Sequence, residues 1–463
     1  MRASHSIAGD HAHVFPRMAR NIGWLAGSRG FVGILSIAYL AIAARALGPR
    51  GFGEFVLVLT YGQLIANLVQ FQSWKGVIRF GALHLAKGRQ GRLARLFGFT
   101  ATLDTLSAFV GAAIAVIGVR LAGPLLHWSP DTQTPAAIFG VVILVASGGT
   151  PSGMLRLFDR FDLQAYSEAI GPIVRFVGAI AAWLLGGGIL GFLVVWGLAA
   201  LSQTIAQWIA AIRISGAGLA FGRRAFARAL RENRRLWRFM LQTNLSNSLG
   251  LFWMQLGTLA VGAVAGPVQA GGFRIAHRVA KGIAKPVETI TRALYPELAR
   301  LVAANNHSVV RMVLISGSRL AAGLAVLLML ITGLAGSRIL HLIAGRQFEF
   351  AHVYLFLLSV AAAVDLAGFA LEPFLSAHGR PGQVLRSRLL GALCYVALLS
   401  SLLPTIGPNG AAIASIGASL IIFVQLALSA ARVMRRNQPQ ASKQGLGAPF
   451  TSWRSSLIGA GRR

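Results

Sequence analysis

Residues 266–294 read GPVQAGGFRIAHRVAKGIAKPVETITRAL. Within them Arg274, Arg278, Lys281, Lys285, Glu288 and Arg292 recur at alternating steps of four and three. At about 100° per residue, these six side chains fall within an arc of about 80°. They run along roughly 27 Å of helix, close to the thickness of the hydrocarbon layer. Five cations facing lipid would cost on the order of 12–18 kcal/mol, so this face must meet a water-filled interior or polar partners. The competing reading is an amphipathic helix lying on the membrane surface. It would remove a span and set every later loop against the positive-inside rule. The spacing therefore predicts a transmembrane helix over 268–295 with its charged side turned inward.

The rest of the 463-residue chain reads the same way. Hydrophobic residues make up 55% of it and charged residues only 12%, with a mean hydropathy of +0.64. Soluble domains carry roughly 25% charged residues, so this much apolar surface belongs against lipid. Spans are expected near 22–44, 52–71, 97–120, 135–155, 166–187 and 189–212. Six more are expected near 239–264, 268–295, 312–334, 351–374, 386–404 and 409–431.

A net charge of +31, from 44 Lys and Arg against 13 Asp and Glu, would suggest nucleic acid in a soluble chain. Its placement points elsewhere. The 72–96 loop holds Lys75, Arg79, Lys87, Arg89, Arg92 and Arg95, and the 213–238 segment holds eight arginines. Arg156, Arg160, Arg380, Arg386, Arg388, Arg432, Arg435 and Arg436 fall on the same side by parity, and the intervening loops are nearly bare. This positive-inside pattern puts both termini in the cytoplasm. It also attracts anionic headgroups and leaves no case for nucleic acid. The first twenty residues lack the apolar core of a cleavable signal. Cys394 stands alone and the His11/His13 pair lies in a polar tail, so no disulfide framework, metal site or cofactor is expected.

The chain also repeats itself. GPRGFGEF at 48–55 matches GPVQAGGF at 266–273 through Gly48/Gly266, Pro49/Pro267, Gly53/Gly271 and Phe55/Phe273. The same offset lays the first six spans on the last six, with the basic 213–238 segment between them. Six spans per half make this a parallel repeat, and such repeats in transporters place the substrate site between the halves. Stepping back from Arg278, Lys281, Lys285 and Glu288 gives Thr60, Gln63, Asn67 and Gln70, the polar positions of the second span. Arg29 in the first span matches Asn247 in the seventh, beside Asn244 and Ser246.

Asp104, Arg175, Arg319, Asp365 and Glu372 are further ionisable residues within spans. Asp104, Asp365 and Glu372 are candidates for ion coupling, and structural pairing with arginines is the competing role. A lumen this cationic suits an anion, and guanidinium forks fit phosphate. No P-loop, HExxH, nucleophile elbow or paired-carboxylate signature is present. Energy from an ion gradient, a membrane potential or removal of product is therefore expected in place of ATP hydrolysis.

Several runs bear a family resemblance. ARALGPRGFGEFVLVLTYGQLIANLVQFQSWKGVIRF (44–80) resembles the N-terminal signature of bacterial polysaccharide flippases. TNLSNSLGLFWMQLGTLAVGAVAGPVQAGGFRIAHRV (243–279), ALYPELARL (293–301) and GPNGAAIASIGASL (407–420) resemble their C-terminal blocks. The resemblance covers residues 18–436 and extends to the multidrug/oligosaccharidyl-lipid/polysaccharide exporter superfamily. It implies an all-α integral membrane protein of about 12 helices, in two six-helix lobes around a central cationic cavity, MATE-like. The corresponding divisions are a tail at 1–20, an N-lobe at 21–212, a linker at 213–238, a C-lobe at 239–436 and a tail at 437–463.

The activity implied is translocation of undecaprenyl-diphosphate-linked oligosaccharide across the bacterial inner membrane by alternating access. Such transport serves exopolysaccharide, capsule or O-antigen synthesis. Arg29, Arg274, Arg278, Lys281 and Lys285 would bind the diphosphate and anionic sugars. Thr60, Gln63, Asn67, Gln70, Asn244, Asn247, Glu288 and Arg292 would form the polar wall. Polymerase and export machinery are the implied partners, membrane lipids surround the chain, and a monomer is the implied state. The family often carries an acid in the seventh span after Gln-Leu, where this chain has Gly257, so no coupling role carries over to that position. The alternatives are a multidrug or metabolite exporter of the same superfamily, whose cationic drugs would want acids, and a membrane-bound polysaccharide-modifying enzyme using His277 or His352.

Overall fold

The computed structural model describes residues 11–126, 128–216, 218–282, 307–378 and 380–436. Every regular element among them is helical. The helices are α1 (His11–Val69), α2 (Ser73–Ala86), α3 (Gln90–Leu125), α4 (Pro130–Val145), α5 (Thr150–Leu157), α6 (Phe161–Leu184), α7 (Gly188–Ser215), α8 (Arg223–Glu232) and α9 (Leu236–Ala265). They continue as α10 over 267–282 and α11 (His307–Ala344). A short 3-10 turn (Arg346–Ala351) then leads to α12 (His352–Ala367), α13 (Leu371–Ala377), α14 (Pro381–Ile406) and α15 (Pro408–Arg436).

Nine stretches among the described residues are long and apolar enough to cross a membrane. The first, Leu35–Ala86, runs through a break at Gly48 and takes in the second expected span with part of the first. The other eight each overlap one expected span, and α9 and α10 occupy the places of the seventh and eighth. Phe109, Ile117 and Leu121 lie exposed along α3. Such a stripe would be an aggregation surface in water and is ordinary against acyl chains.

The repeat has a backbone counterpart. Gly48 adopts φ 67°, ψ 177° and Gly266 adopts φ 85°, ψ 175°, a region that glycine enters without a Cβ penalty. Each is followed by a proline whose fixed φ and missing donor suit the first position of a new helix. The two motifs also touch. A Cβ on Gly53 would fall onto the Pro267 carbonyl, and one on Gly271 would meet the Gly53 Cα at 3.1 Å and Phe52 at 3.1 Å. Small residues let helices approach this closely, and packing of this kind holds helices together in lipid.

Two further helix breaks share one residue. α1 stops at Val69 with α2 resuming at Ser73, and α4 stops at Val145 with α5 resuming at Thr150. Buried Asp104 of α3 accepts from the Thr150 amide at 2.9 Å, from Thr150 Oγ1 at 2.7 Å, and from Ser73 Oγ. A carboxylate at two helix N-termini satisfies donors that the breaks would otherwise leave unpaired in lipid.

The chain divides into two compact units. The first comprises Met1–Gly282, Leu330–Ser359 and Tyr395–Ala414; the second comprises Ile283–Met329, Val360–Cys394 and Ser415–Arg463. Tyr39, Phe52, Phe55, Phe192 and Trp196 form an aromatic core in the first, with Phe55–Trp196 centroids 5.0 Å apart. In the second, Ala370, Phe374 and Leu375 pack on Leu426, Ala430 and Val433 of α15.

Candidate functional site

α1, α6, α7, α9 and α10 of the first unit bring a set of polar and aromatic side chains together. Arg278 of α10 donates from Nη2 to the Tyr39 hydroxyl at 3.2 Å, and Arg175 of α6 donates from Nη1 to the same oxygen at 3.5 Å. The Tyr39 hydroxyl donates in turn to Ser36 Oγ at 3.3 Å. Its ring meets Trp196 of α7 edge to face, with centroids 4.9 Å apart at 89°. The Arg175 guanidinium lies 5.7 Å from the Trp196 ring and 5.9 Å from the Tyr39 ring. Arg278 lies 5.7 Å from the Tyr39 ring. The aromatic faces thus supply a cation–π surface to arginines that no acid among the described residues pairs with.

One turn earlier on α10, Arg274 donates to Gln255 Oε1 of α9 at 3.2 Å and to Gln63 Oε1 of α1 at 3.3 Å. Gln255 Nε2 donates in turn to Gln63 Oε1 at 3.2 Å. Neutral acceptors therefore orient these guanidiniums, and none of the ion pairs among the described residues includes Arg175, Arg274 or Arg278. The buried Nε of Arg175 has no hydrogen-bond partner among them. Three cations held this way satisfy much of their geometry, and no carboxylate among the described residues pairs with them. Orphaned donors and unpaired charge in spanning helices are expensive, and an anion would relieve both.

The residues singled out in the sequence are placed unevenly. Arg274, Arg278 and Gln63 meet at this cluster. Lys281 is exposed at the end of the described part of α10 and is engaged by a neighbour. Thr60 is fully buried and bonds back to Val56 O at 2.7 Å on its own helix. Gln70 donates to Ser147 O across the α1/α2 and α4/α5 breaks, and Asn67 and Asn244 are half-buried with partners. Asp104 is taken up by Ser73 and Thr150, as above. Glu372 accepts a two-pronged bond from Arg388 at 2.8 and 2.9 Å in the second unit, where Asp365 is exposed and also engaged. Lys285, Glu288 and Arg292, and the side chains of Arg29 and Asn247, lie outside the described residues.

Tyr39, Trp196 and Gln255 belong to the cluster without having been singled out. Arg175 stood out only as a charge within a span. At Gly257 a Cβ would fall onto the Tyr395 hydroxyl, so the space in which an acid would stand is filled.

The comparisons with known proteins follow the same lines. YghQ, an inner membrane protein of Escherichia coli (strain K12), is 29% identical over 343 residues, which are 72% of this chain and 94% of that protein. An inward-facing multidrug resistance MATE family transporter of the MOP superfamily superposes with a TM-score of 0.67 at 13% identity, covering 90% of this chain and 96% of that one. The lipid II flippase MurJ in an inward closed conformation gives 0.66 at 10% identity, covering 89% of each. At such identities the likeness is one of fold, a multi-pass helical membrane fold that these proteins share. The family described as polysaccharide biosynthesis protein matches residues 18–302, and the chain belongs to it.

Proposed function

We propose that this chain is a flippase that carries a polyprenyl-diphosphate-linked oligosaccharide between the leaflets of the bacterial inner membrane, for assembly of a surface polysaccharide. The observation that carries the reading is the cluster of Arg175, Arg274 and Arg278. Tyr39, Gln63 and Gln255 orient it, and no carboxylate among the described residues opposes it. A diphosphate offers two negatively charged groups with acceptors for guanidinium forks. Lys281, with Lys285 and Arg29, would extend the basic wall toward the sugar, and the lipid tail would remain among acyl chains. The family supports a polysaccharide cargo, the likeness to MATE transporters and MurJ supports alternation between two six-helix halves, and the basic loops support cytoplasmic termini. An exporter of cationic drugs would need free acids, whereas buried Asp104 and Glu54 are both engaged by hydroxyl donors.

The test is complementation of a deletion strain with Arg274→Gln/Arg278→Gln at wild-type protein levels. Loss of each charge-assisted contact to a bound phosphate is worth about 1.5–3 kcal/mol, so the double variant should lower export by at least about tenfold. Arg278→Lys should fall between, since it keeps the charge and loses the fork. Full export by the double variant would overturn the assignment.

A further inference from the structure

The segment joining the two repeats carries a face that transport leaves unused. α8 follows the end of α7 by a few residues and precedes the start of α9 by three. α7 is long and apolar enough to span and α9 holds the place of the seventh expected span, so a short helix tethered to both is expected beside the headgroups. One side of it is committed to the protein. Phe226 packs on Phe99 with centroids 4.5 Å apart, and Ala229 and Leu230 join Leu96, Phe99 and Leu103 of α3. Its C-terminal end is fastened as well. Arg95 grips the Glu232 carboxylate with bonds of 3.0 and 2.6 Å, and His84 Nε2 meets Asn233 Oδ1 at 2.9 Å.

The other side consists of Arg223, Arg224, Arg228 and Arg231, all exposed. At about 100° per residue they occupy an arc of roughly 140°. Exposed Arg234, Arg235 and Arg238 continue the basic run toward the membrane entry of α9. Glu232, the acid within α8, is already used by Arg95, so the face has no internal counter-charge. Exposed Phe221 and Trp237 flank it, residue types that favour the membrane interface.

We propose that this face binds the headgroups of anionic phospholipids in the leaflet on which it lies, fastening the linker between the repeats to that leaflet. Phosphate oxygens match guanidinium forks, and clusters of this size beside a spanning helix draw anionic lipid. A soluble acidic protein is the other conceivable partner, but the tethering of α8 to two spans keeps its face at the bilayer. Arg223, Arg224, Arg228 and Arg231 take no part in the candidate substrate site, so the proposal stands or falls separately from the cargo.

The purified full-length protein is placed in neutral mixed micelles with pyrene-labelled phosphatidylglycerol or pyrene-labelled phosphatidylcholine, and tryptophan-to-pyrene transfer gives the relative association of each. The wild type should prefer phosphatidylglycerol by at least about threefold, and 0.5 M NaCl should largely abolish the preference. The R223Q/R224Q/R228Q/R231Q variant should lose most of it, and the corresponding fourfold lysine variant should keep it. Arg338→Gln with Arg346→Gln, exposed arginines elsewhere, should change nothing. A wild type with no preference, or one whose preference survives high salt, overturns the proposal. So does a glutamine variant that melts like the wild type and retains the preference. If that variant melts early, R223Q/R224Q and R228Q/R231Q are read separately, and no reduction in either also overturns it.

Discussion

The hydroxyl of Tyr39 accepts from two arginines that are 103 positions apart in the chain, Arg278 at 3.2 Å and Arg175 at 3.5 Å. The oxygen is thereby the fixed point of the basic cluster. Tyr39→Phe keeps the ring against Trp196 and removes the acceptor. Hydrogen bonds to charged groups are worth about 1.5–3 kcal/mol, so the variant should lower thermal stability in detergent and transport in complementation together. A transport defect without a stability defect would mean that Tyr39 touches the cargo itself.

Gly53 and Gly271 bring the two repeat motifs together. Gly53→Ala drives a Cβ into the Pro267 carbonyl, backbone that cannot swing aside. Overpacking of this kind costs about 1–3 kcal/mol or more, and loss of folded protein in size-exclusion chromatography is expected. Gly323→Ala on α11, where a Cβ meets nothing within 4 Å, should be neutral or slightly stabilising.

Asp104 joins the two broken helices. Asp104→Ala leaves the Ser73 and Thr150 donors without their acceptor, a loss of about 1–3 kcal/mol. Combined with Thr150→Val, the loss should be smaller than the sum of the two single changes, because one shared interaction is removed twice. A double-mutant cycle on melting temperature measures this, and strict additivity would argue against the latch.

The Arg95–Glu232 pair that docks α8 makes a statement about acid. The two-pronged bond from Arg95 is the largest influence on Glu232 and holds its carboxyl below the ordinary glutamate value of 4.5. A group whose folded pKa is depressed contributes stability above its unfolded pKa and loses it as pH falls through the folded value. Glu232 should therefore add stability at neutral pH and cease to do so only below about pH 4.5. Melting curves of wild type and Glu232→Gln should differ at pH 7 and converge in acid.

Much of this was legible along the chain. The Gly48-Pro49 and Gly266-Pro267 steps mark helix ends, since glycine and proline specify backbone locally. The 3-4 spacing on α10 gave Arg274 and Arg278, and the offset of the repeat led back to Gln63. Helix α2 was hidden inside what read as the 72–96 loop, because Lys75 and Arg79 mask the buried side carrying Val77 and Gly81. The linker hid α8 in the same way, although RRAFARALRE alternates apolar and basic sides at helical spacing. Tyr39 and Trp196 could not be read, since an aromatic residue in a span looks the same whether it meets lipid, core or a cation. Their roles come from packing of α1 against α6, α7 and α10, contacts across large sequence separations that no local pattern encodes.

The most direct measurement is the pool of lipid-linked sugar in a strain lacking this gene, with leaflet assigned by the access of a lectin or a glycosidase to sealed vesicles. Polyprenyl-diphosphate oligosaccharide should accumulate on the cytoplasmic face. The wild-type gene should restore the pool, and Arg274→Gln/Arg278→Gln at equal protein level should not. A normal pool with normal surface polysaccharide in the deletion strain would contradict the flippase assignment and leave the transporter fold with a different cargo.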